Sequence, residues 1–183
     1  MLDFGTELRQ WGKALAAINV WNDIDPWRLA VVLEAFATPL AASGFTLKRE
    51  LDAELCVCCD ALRIRQALMA LLENAQKHAV SGMLTVRLYR SGVQCILSVE
   101  DEGPGISEEV AAYIFEAFRR GDPSRSRKSG GSGLGLAVVH GIVQQFGGDV
   151  QVQSRLGHGT VFRIRLPLTT EHLKSKEPKT GLP

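Results

Sequence analysis

The order of elements in this 183-residue chain predicts a two-layer α+β sandwich, with helices covering one face of a mixed, largely antiparallel sheet. Three observations carry that prediction. Apolar residues recur at helical spacing in separate segments, two pairs of β-rich runs flank short glycine-containing turns, and the pairs are divided by helices rather than alternating one strand to one helix. With 45% apolar and 22% charged residues, a mean hydropathy of +0.02 and a length typical of one domain, the chain has material for a single core. No apolar run approaches the roughly 18 residues of a membrane span, and no signal-peptide pattern opens the chain, so a soluble, cytoplasmic fragment is expected.

The elements follow in order. Trp27 to Ala42 reads as a helix opened by Pro26 and closed at Ser43-Gly44, and Phe45 to Leu51 as a strand. Asp60 caps a longer helix to about Ala79, whose Ile64, Leu68, Leu71, Leu72, Ala75 and Ala79 form a core stripe; Glu73 projects to solvent. Met83 to Tyr89 and Val93 to Val99 form a hairpin about Arg90-Ser91-Gly92. Ile106 to Phe118 is helical in character, and Arg119 to Gly133 is a loop rich in Gly, Ser and Arg, long enough to be functional. A helix from Leu134 to Phe146 stops at Gly147-Gly148, and Val150 to Ser154 pairs with Thr160 to Leu166 about Gly157-His158-Gly159. The expected domain is 27–168, with a disordered tail over 169–183.

A balance of 21 basic against 20 acidic residues gives no general attraction to nucleic acid or anionic membrane, and neither is an expected partner. The charge is concentrated locally. Residues 119–131 hold five basic side chains against Asp122, a net +4 that leaves −3 elsewhere, so this stretch reads as an anion site or as a solvated basic loop. Cys56, Cys58, Cys59 and Cys95 lack the paired spacing of a zinc framework and read as thiols of a reducing compartment.

Three segments carry candidate chemistry. Asp101-Glu-Gly-Pro-Gly-Ile106 puts a carboxylate at a strand end beside glycines that permit close backbone approach, although the same residues also make an ordinary turn. Gly130-Gly-Ser-Gly-Leu-Gly-Leu136 opens a helix, where exposed N–H groups and the helix dipole favour phosphate; a flexible hinge is the other reading. It is not a P-loop, because no Gly-Lys-Ser/Thr follows. Asn74, Lys77 and His78 share a stripe on the long helix, offering an amide oxygen suited to a hydrated Mg²⁺ and a point charge for phosphate, or simply a polar flank. His140 and His158 read as a helix-surface and a turn residue.

Taken together, these segments resemble the ATP-binding catalytic domain of sensor histidine kinases, a Bergerat-fold superfamily that also holds DNA gyrase and a heat-shock chaperone. Asp60 to Gln66 with Leu71 to His78 is similar to the N box and Asp101 to Ile106 to the first glycine box. Ile114 to Arg120 resembles the F box, Gly131 to Leu136 the second glycine box, and Gly157 to Pro167 the closing strand. The resemblance spans about Trp27 to Pro167. It implies that Asp101 accepts the adenine amino group, with Thr160 helping through water and Gly103, Gly105 and Ile106 beside the base. Asn74 would hold Mg²⁺. Lys77, His78 and Arg120 would approach the phosphates, which Gly131, Ser132, Gly133, Leu134, Gly135 and Leu136 would cradle beneath a lid over 119–130.

Two departures qualify the resemblance. Ala70, one turn before Asn74, stands where kinases of this family carry Asn and hydrolysing relatives carry a catalytic Glu, which argues against a gyrase-like ATPase. None of the four histidines lies in the His-Glu-Leu/Phe-Arg-x-Pro setting of a phosphoacceptor. Leu2 to Arg9 instead resembles the tail of the helical hairpin that carries it, so residues 1–26 are expected to be a hairpin remnant and linker. The implied function is transfer of the ATP γ-phosphate to a histidine on a dimerisation domain elsewhere, with a response-regulator receiver domain as the eventual acceptor. A nucleotide-binding regulatory module and an anti-sigma-type serine kinase are the alternatives.

Overall fold

The structure, a computed structural model, describes residues 23–24, 26–52, 55, 57–79, 81–117 and 133–168. Four helices and seven strands occur among these residues. They are β1 (Asp23–Ile24), α1 (Pro26–Ala42), β2 (Phe45–Leu51), β3 (Val57–Cys58), α2 (Ala61–His78), β4 (Gly82–Ser91), β5 (Gln94–Asp101), α3 (Glu108–Ala111), α4 (Gly135–Gln145), β6 (Asp149–Ser154) and β7 (Thr160–Pro167).

Five strands form one sheet in the order β2-β4-β5-β7-β6. Only β2 and β4 run parallel; every other neighbouring pair is antiparallel, so the predicted mixed, largely antiparallel sheet is observed. Alternation along the strands divides the two faces. Val86 and Leu88 of β4, Leu97 and Val99 of β5, and Phe162, Ile164 and Leu166 of β7 point into one core with Ile64, Leu68, Leu71 and Leu72 of α2 and Val139, Ile142 and Val143 of α4, while Leu84 packs in a second cluster with Leu40, Phe45, Ala75 and Ala79. The opposite face is charged: Arg87 pairs with Glu50 and Glu100, and Arg163 and Arg165 reach Gln153 and Gln94. Such exposed pairs contribute little stability but keep the open face soluble.

Local chemistry explains most boundaries. The Asp60 carboxylate accepts from the N–H groups of Leu62 at 2.9 Å and Arg63 at 3.1 Å, satisfying two donors that a helix start leaves without partners. The β4–β5 hairpin closes more tightly than predicted, with Ser91 opposite Gln94 and Gly92 in the left-handed region at φ +60°.

Two elements differ from the sequence reading. The helix expected over Ile106–Phe118 is regular only over Glu108–Ala111. Beyond it, Tyr113 donates to Val110 O and Glu116 to Tyr113 O, tighter turns that swing Phe115 inward. Phe115 then stacks on His140 at 6.0 Å and meets Phe162 edge-on at 6.2 Å, so tertiary aromatic packing overrides local helical preference. The β1–β3 ladder, Asp23 opposite Cys58 and Ile24 opposite Val57, was not expected, because two-residue strands leave no periodic signal. The expected hairpin remnant up to residue 22, the lid over 119–130 and the tail over 169–183 lie outside the described residues.

Candidate functional site

At the carboxyl end of β5, Asp101 stands opposite Thr160 on one side and Leu84 on the other. Both polar residues face the core side of the sheet and are buried, Asp101 to 8% exposure and Thr160 to 5%. A carboxylate there needs donors. Asp101 Oδ1 accepts from Gly103 N–H at 2.9 Å, and the Thr160 backbone N–H lies close by. Burial pushes the Asp101 pKa above the usual carboxylate range, against the lowering effect of those two donors.

The loop after Asp101 is held by the β6–β7 turn. Gly157 N–H donates to Pro104 O at 2.8 Å, and Ile106 N–H donates to Ser154 Oγ at 2.8 Å. These contacts require glycine. A Cβ on Gly105, at φ +72°, would overlap the Arg155 carbonyl, whose carbon would lie at 2.7 Å, and one on Gly159, at φ +80°, would overlap the Asp101 carbonyl. At Gly103 a Cβ would meet Asp101 Oδ1 at 2.7 Å and Ala79 Cβ at 3.0 Å. The nearest neighbours of all three glycines are thus protein atoms, and their first service is to let two loops and the end of α2 close around Asp101.

That approach of Ala79 brings the polar stripe of α2 to the same place. Asn74 is partly buried on the last turns of the helix, with Lys77 and His78 exposed beside it and Glu73 solvent-facing as predicted. Local burial of the imidazole, followed by the Lys77 charge, lowers the His78 pKa. Ala70, one turn earlier, packs its methyl against the core and presents no polar group. At the other end of the glycine-rich segment, Gly133 has φ +71°, Leu134 occupies the N-cap position of α4 without a polar side chain, and a Cβ added at Gly135 would meet nothing within 4 Å among the described residues. Leu136 and Ile106 pack against the core below. Arg120, Gly131 and Ser132 lie outside the described residues.

Elsewhere, a groove of about 360 Å³ between α1 and α2, lined by residues including Val32, Phe36, Leu62, Arg65 and Met69, contains none of these groups. Cys59 and Cys95 are buried free thiols, and burial pushes the Cys95 pKa up to about 12. His140 stacks on Phe115, and His158 lies exposed in the turn. Sequence reasoning missed Ser154, whose hydroxyl joins the two loops: a lone Ser at a strand end gives no signal until the partners are in place.

The fold thus puts a buried Asp at the end of β5 with the polar end of α2 beside it, and a glycine-rich segment opens α4. The chain belongs to the family of histidine kinase-, DNA gyrase B- and HSP90-like ATPases, whose sequence profile matches residues 59–170. Within that family it is similar to sensor histidine kinases. It is 44% identical over 110 residues to the probable sensor histidine kinase TcrY of Mycobacterium tuberculosis, covering 60% of this chain and 23% of that protein. It is 32% identical over 194 residues to the sensor protein GacS of Pseudomonas syringae pv. syringae, covering 100% of this chain and 21% of GacS. The chain therefore spans about a fifth to a quarter of these two relatives.

Among solved structures, it superposes on the histidine kinase AdeS of Acinetobacter baumannii with a TM-score of 0.65 and 28% identity, covering 90% of this chain and 77% of AdeS. The catalytic domain of the histidine kinase ThkA gives a TM-score of 0.69 at 26% identity, covering 82% of this chain and 97% of that one. Full-length ShkA in complex with AMPPNP gives 0.68 at 30% identity, over 78% of this chain and 29% of ShkA.

Proposed function

We propose that this chain is the nucleotide-binding part of a sensor histidine kinase, which holds Mg·ATP and presents the γ-phosphate to a histidine on a dimerisation domain outside it. The observation that carries the proposal is the buried Asp101 carboxylate, held at the mouth of two interlocked glycine loops with Thr160 beside it. An acceptor-only group in a desolvated niche is suited to the exocyclic amino group of adenine. Gly103, Gly105 and Ile106 form the loop beside that position.

The remaining residues fit the rest of the ligand. Lys77 and His78 offer charge and hydrogen bonds to phosphate oxygens, and the glycine-rich start of α4 offers the positive end of a helix dipole to the phosphates. Among the described residues no group of three His, Cys, Asp or Glu side chains is gathered for a metal. A divalent ion would rest on Asn74, phosphate oxygens and water, a donor set that suits Mg²⁺, and when bound it would neutralise charge on the transferring phosphoryl group. Arg120, Gly131 and Ser132 are assigned phosphate contacts on the resemblance of their motifs. The chain's own part in catalysis is positioning and charge neutralisation. A response-regulator receiver domain is the proposed downstream partner.

Ala70 favours a second reading, a regulatory module that binds nucleotide but does not transfer phosphate. Titration of ADP and AMPPNP, with and without Mg²⁺, against this chain and Asp101→Asn tests nucleotide binding; no binding to the unmutated chain overturns both readings. Phosphoryl transfer to the histidine of the full-length protein separates the two, and an acid-stable product would indicate a serine kinase instead.

A further inference from the structure

Two apolar surfaces near the start of the domain match in length. The first is the groove of about 360 Å³ between α1 and α2, with Val32, Ala35 and Phe36 on one wall and Leu62, Arg65 and Met69 on the other. Large apolar side chains stand in water along it: Leu62 is 47% exposed, and Val31, one helical turn before Ala35, is 54% exposed. The second surface lies in the sequence ahead of β1. Phe4, Leu8, Trp11, Leu15 and Ile18 recur at alternating intervals of four and three, and every residue between them is polar, glycine or alanine. That is the pattern of an amphipathic helix with a single apolar stripe, which needs an apolar surface to cover it.

The short β1 strand brings the two together. Its antiparallel register, Asp23 opposite Cys58 and Ile24 opposite Val57, means that β1 is entered from the side of Cys59 and Asp60, where α2 starts. The α2 wall of the groove begins in the first turn of that helix, at Leu62. From Leu62 to Met69 is about 10 Å of helix, and Trp11 to Ile18 is the same interval of sequence. Residues 19–22, between Ile18 and Asp23, reach up to about 13 Å, enough to lead from β1 into the near end of the groove.

We infer that the groove between α1 and α2 is the docking site of this chain's own leading segment, with Ile18 at the Leu62 end and Trp11 at the Met69 end. Seated there, the segment lies along the first half of the helix whose last turns carry Asn74, Lys77 and His78. Amide hydrogen exchange of the 183-residue chain, read by peptide mass spectrometry over residues 1–22, tests the docking. The expected result is protection of these amides in the unmutated chain, weakened about 10-fold by Leu62→Glu in the groove and by Trp11→Glu on the stripe, because each sets a charge against apolar surface. Val93→Glu, at an exposed position of the β4–β5 turn, is expected to leave it unchanged. Protection that survives Leu62→Glu belongs to the segment by itself and overturns the inference, as does unprotected exchange of residues 1–22 in the unmutated chain. Protection that fades on dilution assigns the stripe to a second copy and overturns it equally. If Leu62→Glu unfolds the domain, seen as exchange in β5 and β7, Val31→Glu approaches the groove from α1 with the same expectation, and protection that persists there refutes the docking.

Discussion

Replacing Gly105 by alanine measures how strongly the two loops of the site are interlocked. The residue sits at φ +72°, where a Cβ costs about 1 kcal/mol from strain alone. Its Cβ would also occupy the position of the Arg155 carbonyl and lie 3.1 Å from Leu156 Cα, so the β6–β7 turn must retreat. Retreat breaks the Gly157 N–H bond to Pro104 O and the Ile106 N–H bond to Ser154 Oγ, worth about 0.5–1.5 kcal/mol each. The expected loss is about 2–4 kcal/mol, a large share of the roughly 5–15 kcal/mol that holds a domain together. Gly157→Ala is the control, because Gly157 has φ +79° but nothing within 4 Å of its Cβ position, leaving only the strain of about 1 kcal/mol. Urea unfolding at constant slope should move the Gly105→Ala midpoint down by about 1–2 M and that of Gly157→Ala by about 0.5 M. Equal shifts would show that the turn and the glycine loop are not clamped together, and the geometry drawn for the pocket would fail with them.

Three further outcomes are expected. Because burial raises the Asp101 pKa, the native state takes up a proton more readily than the unfolded chain; the cost of the buried charge is present above the native pKa and is relieved as pH falls through it. The unmutated chain should accordingly gain stability relative to Asp101→Asn between pH 7 and about pH 4, the unfolded carboxyl value, while the variant loses ADP affinity; a difference that shrinks on acidification contradicts the burial argument. Asp60→Ala removes two cap bonds far along α2 from the site, so it should cost about 1 kcal/mol in thermal or urea unfolding and leave ADP affinity unchanged; a loss of affinity would mean that α2 transmits the change to Asn74. Iodoacetamide at pH 8, read by peptide mass spectrometry, should leave Cys95 unmodified until the chain is unfolded, since its buried thiol titrates at about 12, and rapid labelling of the native protein would show that the β5 core is open.

Much of this was written locally. Asp60, the apolar stripe of α2, the two hairpins and the strand that delivers Asp101 are all signalled within a few residues of where they act, because caps, periodicity and turns are short-range physics. The candidate site was legible for the same reason: each of its segments carries a charged or glycine-rich pattern that is unusual by itself, and their order supplied the family resemblance. Tertiary structure decided what depends on distant partners. The parallel pairing of β2 with β4 and the β1–β3 ladder have no local code, and the third helix stops at Ala111 because Phe115 is drawn onto His140 and Phe162. Gly105 showed in the sequence as a glycine free to let something approach, and only the fold revealed that the approaching group is the Arg155 backbone. Ser154 was silent until residues 48 apart in sequence met, because the direction of a hydroxyl is set by the neighbours that use its hydrogen and lone pairs, and those neighbours are chosen by the fold.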